Sequence, residues 1–587
     1  MHDTIIRGGV VVDGLGGAPR NADVAVKDGL IVEIGKVTTP ARETIEADGA
    51  LVTPGFIDIH THYDGQFLWE DTIDPSFSNG VTTVIAGNCG VGFAPVREEY
   101  RRELLEHMEG VEDIPGIVLD EGLDWNWRSF PDYMNRLAAR SYGLDVASNV
   151  THAPLRVFVM GERALNHEAA TQDDIEKMCG LVREAMAAGA MGVSAARVIE
   201  HRSSRGANIP GTFAEKDELL ALSKAMGESG HGVFQIAVKG QIGSYLVDNG
   251  GRDKRLEELE ILRSLARASG RPITFGLSEF PSDPEDIHLM LEATARDVAE
   301  GLGIYPQVLA RGNGQISLLD GYHVFLLKPS YHAIARLPLA ERIKVMRDPA
   351  RRAAILSEPN DDSISADSPH VPLAIRHLQE TLSNSFILRS ALDFEPGPER
   401  RIGVLAAAAG KTPEEFVYDH YAASEESFSV TLVMNYVRGD LDTVRSALGK
   451  AHVMSGLADG GAHMRMICDA AMPTFQLAFW SRERSRGDRL PLGLNVQKLT
   501  SAPAKLYGLN DRGVLAVGKR ADINIIDFER LAPRPPFMAH DLPSGGPRLL
   551  QRSEGYIATL LAGVTTRRND EDTGARPGRL LRANRTT

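Results

Sequence analysis

Over the first 54 residues, apolar positions recur at every second residue in short runs: TIIRGGVVVDG, ADVAVKDGLIVEIG and ETIEADGALVTPG. That period belongs to the β-strand, and the Asp-Gly turns between the runs predict an antiparallel sheet. The same texture returns late, in GVLAVGKRADINIIDFERL (513–531) and EGYIATLLAGVTTRR (554–568). Neither end is long enough to bury a good core alone. Residues 1–54 and 508–587 are therefore expected to build one small β-sandwich domain together.

From residue 55 the pattern changes. Short apolar runs, GFIDIHTH (55–62), TTVIAGNC (82–89), DVASNVTH (145–152), MGVSAAR (191–197), GVFQIAV (232–238), PITFGLSE (272–279), IYPQV (304–308) and VMSGLADGG (453–461), are parted by longer segments. Several of those segments have a helical apolar period. TQDDIEKMCGLVREAMAAGA opens on a Thr cap with early acids, and AEKDELLALSKAMGESG ends on glycine. Strand–helix alternation of this kind is the signature of a (β/α)8 barrel, expected over residues 55–507. The interval 311–450, with helical stretches such as DPARRAAILSE and DLDTVRSALGKA, is predicted to be a helical insertion that covers the barrel mouth. The tail after 568, polar and rich in Arg and Gly, reads as an exposed arm.

Composition narrows the function classes. A formal net charge of −15 argues against nucleic-acid binding, since a phosphate backbone requires a basic surface. No run approaches the roughly 18 apolar residues of a membrane span. The start, MHDTIIRGGVVVDG, lacks the apolar run of a signal peptide. The three cysteines, Cys89, Cys179 and Cys468, form no CxxC pair, which suits a reducing compartment. A cytoplasmic chain is the expectation.

Barrel enzymes place their chemistry at the C-terminal ends of the strands. His60 and His62 fall at the end of the first candidate strand, Cys89 at the second, His152 at the third and Asp459 at the eighth. On a strand, residues i and i+2 point the same way, so the two imidazoles stand together. With a thiolate and a carboxylate they make a donor set that suits zinc. Cys89 has two other readings, as an inert core residue or as a nucleophile. His463 reads as a substrate contact or a supporting group.

TPGFIDIHTHYDGQ (53–66), GVTTVIAGNCGVGFAPV (80–96), ADGGAH (458–463) and SAPAKLYGLNDRGVLAVGKRADINIID (501–527) resemble the amidohydrolase superfamily, and within it the N-acyl-D-amino-acid deacylases. The resemblance implies a zinc-binding barrel carrying a β-sandwich from both termini, with His60, His62, Cys89 and Asp459 as metal ligands. It also implies one or two zinc ions and hydrolysis of N-acyl-D-amino acids, with Asp459 moving the proton. The family takes further histidines from the fifth and sixth strands. Here GVFQIAVKG and PITFGLSEF hold none; Gln235, Ser278 and Glu279 stand in that neighbourhood. Three outcomes are open: a one-metal site, replacement ligands from His152, His201 or His231, or a barrel without metal.

An N-acyl amino acid carries a carboxylate, which calls for a cation or several donors. Arg311, after the seventh strand, is the expected clamp, with Arg197 and Tyr305 next. Alternative substrates are cyclic amides or other linear amides, because a fold does not fix function. Exposed edges of the β domain leave room for a homo-oligomer.

Overall fold

The computed structural model describes residues 1–240, 251–365, 370–388 and 393–583. Eight parallel strands form the middle of the chain: β1 (Phe56–Asp58), β2 (Val81–Ala86), β3 (Asp145–Ser148, continued by Val150–Thr151), β4 (Gly192–Ala196), β5 (Val233–Ala237), β6 (Ile273–Gly276), β7 (Ile304–Val308) and β8 (Met454–Ser455). Each pairs with the next in chain order, and a parallel bridge from Thr61 to Gly460 joins the first strand to the last. The sheet thus closes into a barrel. Strands β2, β4, β5 and β6 are buried along their whole length, as a sheet covered on both faces requires.

Side-chain caps start some of the helices between them. Thr171 and Asp174 form a reciprocal capping box on the helix Gln172–Ala187, and its apolar stripe, including Met178, Val182 and Met186, is buried. Asp348 accepts a bond from the Arg351 amide at 2.9 Å and starts Pro349–Ser357 inside the insertion.

Both termini contribute to a nine-stranded sheet. His2–Val11 pairs with Arg20–Lys27, and Leu51–Pro54 pairs with Ile523–Ile526, which continues through Tyr556–Leu561 to Val564–Arg568. Its core holds Ile6, Val24, Ile31, Val52, Ile523, Ile525 and Leu560. The expected antiparallel pairing holds for most of this sheet, with one correction. His2–Val11 runs parallel to both Ala41–Glu46 and Leu51–Pro54, which lie end to end along one of its edges after the chain crosses over from Leu30–Gly35 on the other side.

The C-terminal stretch differs from its expected form in two places. Ala532–Pro533 pairs with Ser553–Glu554 and Phe537–Ala539 with Arg548–Leu550, as small ribbons outside the nine-stranded sheet. The tail is no free arm. It runs beside β3, with Gly578 bridged to Tyr142 and Leu580 to Val146, and Leu581 is buried. At the start of β3 the buried Asp145 carboxylate takes Arg512 Nη1 at 2.6 Å, the Arg520 guanidinium, and the Arg579 amide at 2.9 Å. This network ties the C-terminal stretch to the barrel. Its members are satisfied mutually, as buried charges must be.

The insertion is more than helical. Asn313–Ser317, Phe386–Leu388 and Phe428–Met434 make an antiparallel sheet with the last of them in the centre. Around it a separate core gathers Tyr331, Ile343, Met346, Ile375, Tyr418 and Tyr421.

Candidate metal centre

The chain leaves β1 through His60, Thr61 and His62, and two contacts fix that exit. The Asp459 amide donates to the His60 carbonyl at 3.1 Å, and the His62 amide donates to the Gly460 carbonyl at 2.7 Å. Gly461, at φ +87°, passes so close to Tyr63 that an added Cβ would lie 2.6 Å from its ring. The end of β8 is thereby held against the end of β1.

After β2 the chain turns through Gly87-Asn88-Cys89-Gly90. Asn88 Nδ2 donates to the carbonyls of Thr61 and Ile85, both at 3.0 Å. Cys89 is left-handed, φ 51°, and its amide donates to Gln235 Oε1 at 2.9 Å. Gly90 lies against β4, where an added Cβ would meet the Ala196 nitrogen at 2.9 Å. Asp459 (φ 48°) and His463 (φ 49°) are left-handed too. Such conformations cost energy for residues with a Cβ and cluster where a structure over-determines them.

These turns bring the side chains together. Cys89 Sγ lies 3.4 Å from His60 Nε2, and Asp459 Oδ1 lies 3.5 Å from His60 Nε2 and 3.8 Å from His62 Nε2. Donor atoms of His60, His62 and Cys89 fall within 4.8 Å of one another, and no other such group of three occurs among the described residues. Ligands about 2.0–2.3 Å from a tetrahedral zinc stand at just these mutual separations.

Both imidazoles present the same nitrogen to the cluster. Thr274 Oγ1 donates to the Tyr305 carbonyl at 2.8 Å and accepts from Gln307 Nε2 at 3.1 Å, which turns Gln307 Oε1 toward His60 Nδ1 at 2.9 Å. A carbonyl oxygen only accepts, so Nδ1 carries the proton and Nε2 keeps its lone pair. His62 Nδ1 lies 3.1 Å from Glu112 Oε1 without hydrogen-bond geometry, and its Nε2 lies toward Asp459. The Gln307 contact is how a supporting acceptor orients a metal-binding histidine.

The electrostatics fit a cation. Burial pushes His60 down to about 4 and His62 well below the usual imidazole value, so both rings are neutral at neutral pH. Burial, aided by Glu112 and Asp459, pushes the Cys89 thiol well up. A thiol held in its neutral form is a poor nucleophile, and a cation is what would ionise it. Burial lifts Asp459 to about 6.

A cavity of about 260 Å³ opens over the cluster. Glu112, His201, Ser278, Asn313, Gln315 and His463 line it along with the four residues already placed. His201 arrives on the loop after β4; burial and the nearby His463 and His60 press it down to about 3. His463 Nε2 lies 3.9 Å from Glu112 Oε2.

Other residues singled out in the sequence lie elsewhere. His152 opens the helix His152–Met160 and places Nε2 2.7 Å from Glu218, which also takes Arg156. Arg197 is held by Glu258 at 3.1 Å and the Ala214 carbonyl at 2.7 Å. Arg311 is bound to Asp469 and the Cys468 carbonyl. The Tyr305 ring packs against a cluster with Ile57, Met454 and Tyr507. None of these four lines the cavity. Each was read by its distance along the chain from a strand end, and its partner is a carboxylate or apolar cluster remote in sequence. His231 sits ahead of β5, its carbonyl taken by Ser229. At the fifth and sixth strands, Gln235 is engaged with the Cys89 amide. Ser278 reaches the cavity, and Glu279 takes Thr443 at 3.0 Å and Arg438 at 3.2 Å. Glu112 and Gln307 were missed; one looks like a surface acid in RRELLEHMEGVE, the other like an ordinary strand residue.

The sequence matches the amidohydrolase family over residues 43–567. The chain belongs to this family. It is 32% identical to the D-aminoacylase of Alcaligenes xylosoxydans xylosoxydans over 311 residues, 52% of this chain and 57% of that protein. The match thus spans less than two thirds of that relative's length. N-acyl-D-glutamate deacylase from the same organism is 26% identical over 545 residues, 93% of this chain and 91% of the relative. The crystal structure of N-acyl-D-glutamate deacylase from Bordetella bronchiseptica, complexed with zinc and a phosphonate mimic of the tetrahedral intermediate, superposes with TM-score 0.63 at 22% identity, covering 99% of each chain. This amidohydrolase shares that fold.

Proposed function

We propose that this amidohydrolase hydrolyses the amide bond of N-acyl-D-amino acids or related N-acyl compounds, using one zinc ion held by His60, His62, Cys89 and Asp459. The observation that carries the proposal is the convergence of two Nε2 atoms, a thiol and a carboxylate on the floor of one cavity. One ion matches the single donor cluster among the described residues. The metal's contribution is Lewis acidity, which lowers the pKa of water and polarises the scissile carbonyl.

The protein's own groups do the rest. Gln307 holds the His60 imidazole in the neutral, Nδ1-protonated form, and Glu112 lies beside His62 Nδ1. Asp459, lifted to about 6 and set against both rings, accepts the proton of the attacking water. It returns that proton to the leaving nitrogen, because an amine leaves poorly without one. His463 and His201 stand at the cavity wall, within reach of a bound amide.

Zinc-loaded protein offered N-acetyl-D-amino acids, N-acetyl-L-amino acids and cyclic amides tests the proposal through amine release. Turnover of the N-acetyl compounds supports it. Protein that holds zinc and cleaves only the cyclic amides contradicts it.

A further inference from the structure

The Cys89 thiol reaches the cluster from the turn after β2, and side chains take three amides of that turn. The Gly87 amide donates to Asp64 Oδ2 at 3.2 Å, the Cys89 amide to Gln235 Oε1 at 2.9 Å and the Gly90 amide to Ser194 Oγ at 3.1 Å. Asp64 follows His62 by two residues and belongs to the chain leaving β1. Ser194 and Gln235 come from β4 and β5, more than a hundred positions away.

On those two adjacent strands Ser194 and Gln235 are register partners, so their side chains leave the sheet on one face. Both are fully buried, and neither lines the cavity. The two amides they accept belong to the peptide planes on either side of the Cys89 Cα. A residue has only two soft torsions, so holding both planes fixes the direction of its Cα–Cβ bond. That bond carries the thiol. Cys89 is left-handed, φ 51°, a conformation that costs a residue with a Cβ energy unless its surroundings impose it.

The amide of Gln235 has one way to serve the turn. An N–H only donates, so the Cys89 amide must meet Oε1, and Gln235 Nε2 is left buried with no partner in the protein. The residue satisfies the turn while its own donor goes unsatisfied. Cys89 itself packs in a small apolar cluster with Ala196, Val198 and Ala237, and its Sγ meets His60 Nε2 at 3.4 Å.

We infer that Gln235 and Ser194 are positioning residues for the metal centre, a pair of acceptors on β4 and β5 that aim the Cys89 thiol at the cluster through its backbone. The inference rests on the zinc-site reading and deepens it.

The test uses the full-length protein. Gln235→Met keeps the volume and removes the acceptor; Ser194→Ala deletes a single oxygen and decides the matter if Gln235→Met does not fold. Each is made with Cys89 present and again in the Cys89→Ala background. Competition with a chelating dye gives zinc affinity, and the cobalt-loaded proteins are read for the thiolate-to-cobalt charge-transfer band. With Cys89 present, each substitution is expected to weaken zinc binding by about 10–100-fold and to diminish the band. In the Cys89→Ala background the same substitutions are expected to change affinity by no more than about twofold, since the residue they act through is gone. Equal losses in both backgrounds would make the pair a support of the fold and overturn the inference. Affinity and band unchanged with Cys89 present would overturn it too. A wild-type protein whose cobalt shows no thiolate band would take Cys89 out of the shell, and the zinc-site reading would fall along with the inference.

Discussion

Gln307 on β7 and His60 at the end of β1 meet 2.9 Å apart, Oε1 against Nδ1, across the interior of the barrel. The contact ends a chain that begins at the Tyr305 carbonyl and passes through the Thr274 hydroxyl, so backbone geometry dictates which nitrogen of His60 faces the cavity. His60 is thus oriented from within the barrel core, while Cys89 and Asp459 reach it from the turns after β2 and β8.

Gln307→Leu removes the acceptor and leaves the volume nearly unchanged. His60 is then free to take the other tautomer, and zinc affinity is expected to fall by about 10–100-fold. Competition with a chelating dye measures it, and an unaltered thermal midpoint separates loss of orientation from loss of fold. Thr274→Val, one step back along the chain, is expected to weaken zinc binding less, in the same direction.

Asp459→Asn keeps the shape of the side chain and abolishes its basicity. The expected result is a drop in kcat of about 10²–10⁴-fold, the range for a lost general base. At saturating zinc the metal content should hold near that of the wild type, since the Asn side chain keeps one oxygen and His60, His62 and Cys89 remain. Metal analysis alongside kinetics checks the split; a variant that loses metal and activity together would make Asp459 mainly a ligand.

Glu218, which pairs with His152 and Arg156 away from the cavity, contributes to stability. Burial alone would raise the Glu218 carboxyl, but His152 and Arg156 hold it down at about 2. Its folded pKa lies below the unfolded value near 4.5, so this carboxylate stabilises the fold above pH 4.5. The contribution is lost as pH falls from 4.5 toward 2, and is on the order of 3 kcal/mol. Denaturant titrations from pH 6 to 3 should show this acid limb in the wild type and a flatter one in Glu218→Gln.

Much of this molecule is readable in the chain. The barrel strands are short apolar runs because both faces of a parallel sheet are buried, and His60, His62, Cys89 and Asp459 stand where those runs stop. Partners distant in sequence leave no such trace. Arg311 looks like a free clamp until the fold sets Asp469 beside it, 158 positions away. Glu112 ends a charged helix whose pattern gives no sign that its last carboxylate is buried beneath His62. Gly578 to Leu581 looked exposed by composition, yet a few backbone bonds to Tyr142 and Val146 dock them on the barrel. The insertion's sheet was hidden for a similar reason, since its three strands are parted by helices and pair only in space.

The ligand shell of the bound metal tests the account most directly. X-ray absorption at the zinc edge of the loaded protein should show one sulfur at about 2.3 Å and nitrogen or oxygen neighbours at about 2.0–2.2 Å, the sulfur vanishing in Cys89→Ala. A shell of nitrogen and oxygen alone, unchanged by Cys89→Ala, would contradict it.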